Sequence, residues 1–297
     1  MEYLENPHVK NFLDFLVTCC KPNGFNHQWR SYSKKFTGII KGELWSCHSL
    51  IDAFEQYYWP AEDPISKSQI EFFDETSAVL DDLGNRLLVA IKSGDKASAQ
   101  QVCRLILRWG GVESKTHVAA KFKEPEFEIV SHLTEIKNCL DQIMLGGNID
   151  FDNFPSYRRI DSGITKIYAL IVPGFAIFDS RVGCALGILV SKFWLQNYGT
   201  LANLPEELCF LWGGDRDSRN PNLEGSRIFP AFSEVENRTR FDQNIQISWL
   251  LQDLGERLLK LEIQKDLTAS KLVRMLEASL FMIGYGTARA RENIAAK

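Results

Sequence analysis

A chain of 297 residues and 33.9 kDa is long enough for one large domain or two modest ones with real cores. A composition 45% hydrophobic and 24% charged excludes disordered, collagen-like and coiled-coil chains, and 34 Lys and Arg against 38 Asp and Glu give a net charge of −4 with no global basic field for nucleic acid. Seven cysteines, two of them adjacent (Cys19 and Cys20) and none in a C-x-x-C pair, suit a reducing compartment better than a disulfide framework or a zinc site.

In chain order, Glu2 and Glu5 precede any lysine or arginine, unlike the basic start of a signal peptide. Residues 9–17 place Phe12, Leu13 and Leu16 at helical spacing, and Asn23-Gly24-Phe25 then breaks the run. Residues 36–40 are a candidate short strand. Helices are expected over about 66–92, 96–108 and 126–144, the first carried by Ile70, Phe73, Val79, Leu80, Leu83, Leu87 and Leu88. Gly-Gly pairs at 110–111, 146–147 and 213–214 read as helix ends or turns, and Arg108-Trp109-Gly110-Gly111 as a glycine-capped C-terminus. The most apolar stretch, 164–190, is interrupted by Lys166, Pro173, Asp179 and Arg181, so it is not expected to cross a bilayer. A cytoplasmic protein with no membrane partner is the expectation. Residues 203–237 are rich in turn formers and arginine, a long loop of the functional kind, ordered around Trp212, Phe229 and Phe232. Helices over 241–260 and 269–282 close the chain, the first with a stripe of Trp249, Leu250, Leu254 and Leu258.

Several common motifs are missing. No G-x-G-x-x-G, Walker A, H-E-x-x-H or G-x-S-x-G sequence occurs. Five scattered histidines leave little for a metal cluster or a Ser-His-Asp triad, and His48 and His132 read as structural. No cofactor and no metal are expected.

The informative segment lies at about 157–194. Asp161 or Ser162 can cap a helix starting near Gly163, and Ile164, Ile167, Tyr168 and Ile171 mark its buried face. Lys166 points away from that stripe and sits in the first turn, where the helix dipole disfavours a cation. Such local misfits gather at functional sites. Pro173-Gly174 ends the helix, 175–178 is a candidate short strand, and Asp179 heads a second apolar helix from 180 to about 194. Six extended residues reach roughly 20 Å, enough to bring Asp179 back to the level of Lys166.

Gly163, Thr165-Lys166, an apolar helix, a short apolar loop and then Asp179 resemble the core of the helix-hairpin-helix DNA glycosylases, above all the 8-oxoguanine DNA glycosylase branch. The Ser-Gly-x-Thr-Lys and Asp-Ser-Arg-Val runs are similar to those of OGG-fold proteins found beside bacterial anti-phage defence genes. The resemblance covers about 35 residues and implies a mainly α fold of two helical lobes with a cleft between them. The whole of 1–297 would be one compact unit, with a hairpin core at about 157–194 and the long loop at about 203–237. It also implies Lys166 as the nucleophile attacking C1′ and Asp179 as the supporting carboxylate, with Gly163 in the hairpin. The partners it implies are DNA or a modified nucleobase, together with proteins of a defence operon.

Departures accompany the likeness. Lysine and aspartate are thirteen residues apart, closer than in the repair enzymes, and Arg159-Ile-Asp-Ser-Gly replaces the family's Leu-Pro-Gly-x-Gly hairpin. No iron–sulfur cysteine cluster follows.

The chemistry suits these residue types. Breaking an N-glycosidic bond develops positive charge on the sugar, which a carboxylate stabilises, and a neutral lysine forms a covalent iminium. Arg158, Arg159 and Arg181 are candidates for a neighbouring cation or for phosphate contacts, and residues 156–199 carry five basic against two acidic side chains. Trp212, Arg216 and Arg219, or Phe151, Phe154 and Tyr157, could wall a base pocket. The plain alternatives stay open: Asp179 as a helix cap, Lys166 as a solvated lysine, and 203–237 as a packed surface loop. Function divides likewise into an N-glycosylase, with or without lyase activity, on a modified or damaged purine-like base, and a non-catalytic protein of the same fold that binds a base, a nucleotide or a partner.

Overall fold

The computed structural model describes residues 2–30, 44–114, 117–147, 160–214, 217–222, 226–264 and 267–287. The chain is mainly helical, with eleven α-helices and two small antiparallel strand pairs among these residues. Contacts divide it into two units. One comprises Met1–Tyr57, Asp179–Glu236 and Trp249–Lys297; the other comprises Tyr58–Phe178 and Asn237–Ser248.

The unit beginning at Tyr58 holds the strand pair β3 (Ala61–Glu62) and β4 (Gln69–Ile70), then α4 (Phe73–Ser93), α5 (Lys96–Trp109), α6 (His117–Lys121), α7 (Ile129–Met144) and α8 (Ser162–Ile171). The helix expected from residue 66 starts at Phe73. Glu75 explains the difference: its carboxylate accepts from the backbone N–H groups of Glu71 and Phe72, fixing the start of α4 there. Helix α8 packs against α4, α5 and α6. It is buried from Gly163 to Ala169, Thr165 and Lys166 included. Leu170 closes on α4 at Gly84, where an added Cβ would meet the Leu170 carbonyl at 2.9 Å.

The other unit holds α1 (Glu2–Glu5), α2 (Pro7–Cys20), the pair β1 (His27–Arg30) and β2 (Leu44–Cys47), α3 (Leu50–Glu55), α9 (Ser180–Tyr198) and α11 (Ala269–Ile283). Strands β1 and β2 are antiparallel with Trp29 opposite Trp45. Helix α9 packs on α2 and α11, and α11 packs on α3. Helix α10 (Asn237–Lys260) gives residues up to Ser248 to one unit and the rest to the other. Its expected stripe of Trp249, Leu250, Leu254 and Leu258 is buried.

The strand considered at 36–40 lies outside the described residues. That considered at 175–178 is irregular backbone, because no neighbouring strand pairs with it. Side chains of α10 serve it instead: the Ala176 N–H donates to Ser248 Oγ at 2.9 Å, and its carbonyl accepts from Asn244 Nδ2 at 2.9 Å. Ser248 Oγ in turn donates to the Asn244 carbonyl, so two side chains of α10 anchor this buried chain segment, while Asn244 Oδ1 is buried with no hydrogen-bond partner among the described residues.

Candidate active site

Helix α8 starts where the sequence places it. Asp161 is the N-cap, its Oδ1 accepting from the N–H groups of Gly163 at 2.9 Å and Ile164 at 3.0 Å. Helical side chains lean toward the N-terminus, so a lysine at position 166 runs back over the first turn. Its Nζ donates to the carbonyl of Ser162 at 2.7 Å. Lys166 is only 6% exposed, so it is not the solvated lysine of the plain alternative, nor does it point out of the packed unit. The aliphatic stem lies against Gly110 at the end of α5. Burial of a lysine is rare because its charge must leave water, and here a backbone carbonyl offsets part of that loss.

The far side of α8 is plainly structural. Tyr168 Oη lies 2.9 Å from His132 Nε2, and His132 packs among Phe122, Phe127 and Tyr168. Burial pushes the His132 imidazole down to about 4, so it is neutral at pH 7. Next to Lys166, Thr165 Oγ1 donates to the Phe178 carbonyl at 3.4 Å within the same unit. The same hydroxyl also lies 3.4 Å from the Ser162 carbonyl, so its one proton serves either acceptor.

Asp179 belongs to the other unit, where it is the N-cap of α9. Its Oδ1 accepts from the N–H groups of Arg181 at 2.9 Å and Val182 at 3.2 Å. Its Oδ2 stands 3.8 Å from Arg181 Nη1, and Asp179 as a residue is 9% exposed. The cap of the plain alternative is therefore present, and Oδ1 carries it. The Arg181 guanidinium lies over the rings of Phe281 at 4.4 Å and Tyr285 at 5.2 Å. Arg219 reaches the same tyrosine at 5.4 Å and donates to Ser180 Oγ at 3.4 Å. Tyr285 packs on Trp29, which stacks on Trp45. Asp179, Ser180, Arg181 and Arg219 therefore share one buried, aromatic-backed corner.

Trp212 is nearly buried. Its indole N–H donates to the Phe229 carbonyl at 3.0 Å, and its backbone pairs with Pro230 and Phe232. It ties the long loop to itself, a packing role. Gly183 lets that loop lie on α9, since a Cβ there would meet the Leu211 carbonyl at 2.0 Å. Gly163 is buried in the first turn of α8. Arg158, Arg159 and Arg216 lie outside the described residues, as do Phe151, Phe154 and Tyr157.

Sequence reasoning missed Phe281 and Tyr285, which join the arginines from about 100 residues downstream with no spacing signal. It also read Gly110 only as a cap. Among the described residues no group of three or more His, Cys, Asp or Glu is placed to hold a metal, and no helix is long and apolar enough to cross a membrane. No protein-family model, no curated protein and no solved structure matches this chain.

Proposed function

We propose that this chain is an N-glycosylase of helix-hairpin-helix type acting on a modified or damaged purine-like base in DNA, with Lys166 as nucleophile and Asp179 as the supporting carboxylate. The observation that carries the reading is the burial of Lys166: an amine held out of water at the first turn of α8, on a side chain that is an energetic misfit for a core helix. Asp179 is buried as well, at the head of α9.

In the proposed reaction the lysine first gives up a proton, and the neutral amine attacks C1′ of the target nucleotide. The C1′–N bond breaks, its electron pair leaves with the base, and the base takes up a proton. The aspartate carboxylate offsets the positive charge developing on the sugar. Loss of a proton from the new C1′ amine and opening of the sugar ring give an iminium, which water hydrolyses to regenerate the lysine. Arg181 and Arg219 are the described candidates for phosphate contacts, Arg219 through the same corner as Ser180. A role in anti-phage defence belongs to the resemblance alone.

Borohydride trapping on duplexes carrying 8-oxoguanine and other modified purines tests the proposal. A covalent adduct in the native protein, absent in Lys166→Gln, is the expected result. Failure of every duplex to give a Lys166-dependent adduct or base release overturns it. The non-catalytic reading has one observation in its favour: Lys166 Nζ and Asp179 Oδ1 both hold backbone partners already. That reading predicts ligand binding without any adduct.

A further inference from the structure

The doublet Gly110-Gly111 closes α5, and its two glycines answer different demands. Gly111 has φ +66° and is the left-handed residue of a helix-ending motif, in which the Gly111 N–H donates to the Arg108 carbonyl and the Val112 N–H to the Leu107 carbonyl. Glycine is the natural residue there. Gly110 has φ −68° and ψ −7°, ordinary helical backbone that any residue adopts. Glycine is a poor helix former at such a place, so the helix end does not account for it. Lys166 does. A Cβ on Gly110 would lie 2.7 Å from Lys166 Cδ and 2.8 Å from Cε, with Val112 Cγ2 next at 3.5 Å.

We propose that Gly110 is a positioning residue for the Lys166 amine: the missing side chain is the slot along which the lysine stem lies, and the slot aims Nζ at the first turn of α8. The inference rests on the glycosylase reading for its catalytic meaning, but the slot itself does not need that reading. The clash falls on the far end of a flexible side chain rather than on backbone, so an alanine at 110 displaces the amine and leaves the fold intact.

The test compares the native protein with Gly110→Ala in three measurements. Melting temperature should be unchanged or raised. Reductive methylation with formaldehyde and cyanoborohydride, read on the peptide containing Lys166, should run several-fold faster once the stem leaves its slot. Borohydride trapping on modified duplex should fall by up to about 100-fold, the effect of an ångström-scale misplacement of a reacting group. Equal methylation of Lys166 in both proteins overturns the inference, whether or not trapping is seen. Absence of any adduct in the native protein sinks the glycosylase reading alone, since methylation still reports the slot. Should Gly110→Ala melt lower, the same substitution in a Lys166→Ala background decides: recovery assigns the conflict to the lysine stem, and no recovery refutes the slot.

Discussion

Asp179 caps α9 and, under the proposed function, supplies a carboxylate; asparagine separates the two. Its Oδ1 holds two backbone amides at the start of α9, while Oδ2 faces Arg181 at 3.8 Å. Asparagine keeps an oxygen for the amides and removes the charge; alanine removes both. The pair with Arg181 is buried, so removing the carboxylate's charge lowers stability, and it does so in both variants alike. Losing an N-cap typically costs about 1 kcal/mol and up to about 2 where the freed amides stay buried, as these do. Asp179→Ala should therefore be less stable than Asp179→Asn by about 1–2 kcal/mol. Calorimetric melting should place the alanine variant roughly 2–8 °C lower, at about 2–4 °C per kcal/mol for a unit of this size. Base release should be lost in both. Equal melting of the two variants would refute the capping argument, and native rates of base release in Asp179→Asn would refute the need for a carboxylate.

Three further outcomes are expected. Lys166→Met should abolish trapping yet raise stability by about 1 kcal/mol, because a buried amine gives way to an apolar chain of similar length; a lower melting temperature would show that the ammonium stabilises the fold. His132 is neutral in the folded protein, with its imidazole near 4 against an ordinary 6.5, so the unfolded chain binds its proton first. Its contribution is therefore complete above pH 6.5 and falls by on the order of 3 kcal/mol as pH drops toward 4; urea titrations of His132→Gln should be flatter across that window, and an unchanged slope would count against it. Gly183→Ala should destabilise by about 1–3 kcal/mol and open the 203–237 loop to protease, since its Cβ would strike the Leu211 carbonyl; native resistance would contradict the packing described.

Helices marked by strong periodicity and local caps were legible in the sequence. Helices α5, α8, α9 and α11 begin within a residue or two of their expected starts because Asp95, Asp161, Asp179 and Thr268 write those starts into the chain. The start of α4 was misread because apolar residues at 66–72 continue the period, and only the reach of Glu75 shows where the backbone turns. Residues 175–178 looked like a strand because their partners, Asn244 and Ser248, lie about 70 residues away. The cap at Asp179 was foreseen, whereas the burial of Lys166 was not: period alone put it on an outer face, and tertiary packing from α5 covered that face.

One long-range closure bears on the order in which the chain acquires its structure. His27 Nε2 meets the carbonyls of Ile283 and Gly286 at 3.0 Å each, and Trp29 Nε1 donates to the Met282 carbonyl at 2.8 Å. The end of α11 is thus satisfied by residues made more than 250 positions earlier. During synthesis the β1 side chains exchange water for these carbonyls only after Met282, Ile283 and Gly286 have emerged. The segment 58–178 is continuous and can begin to form earlier, completed when Asn237–Ser248 joins it. Truncation before Met282 should therefore weaken the β1 strand as well as α11.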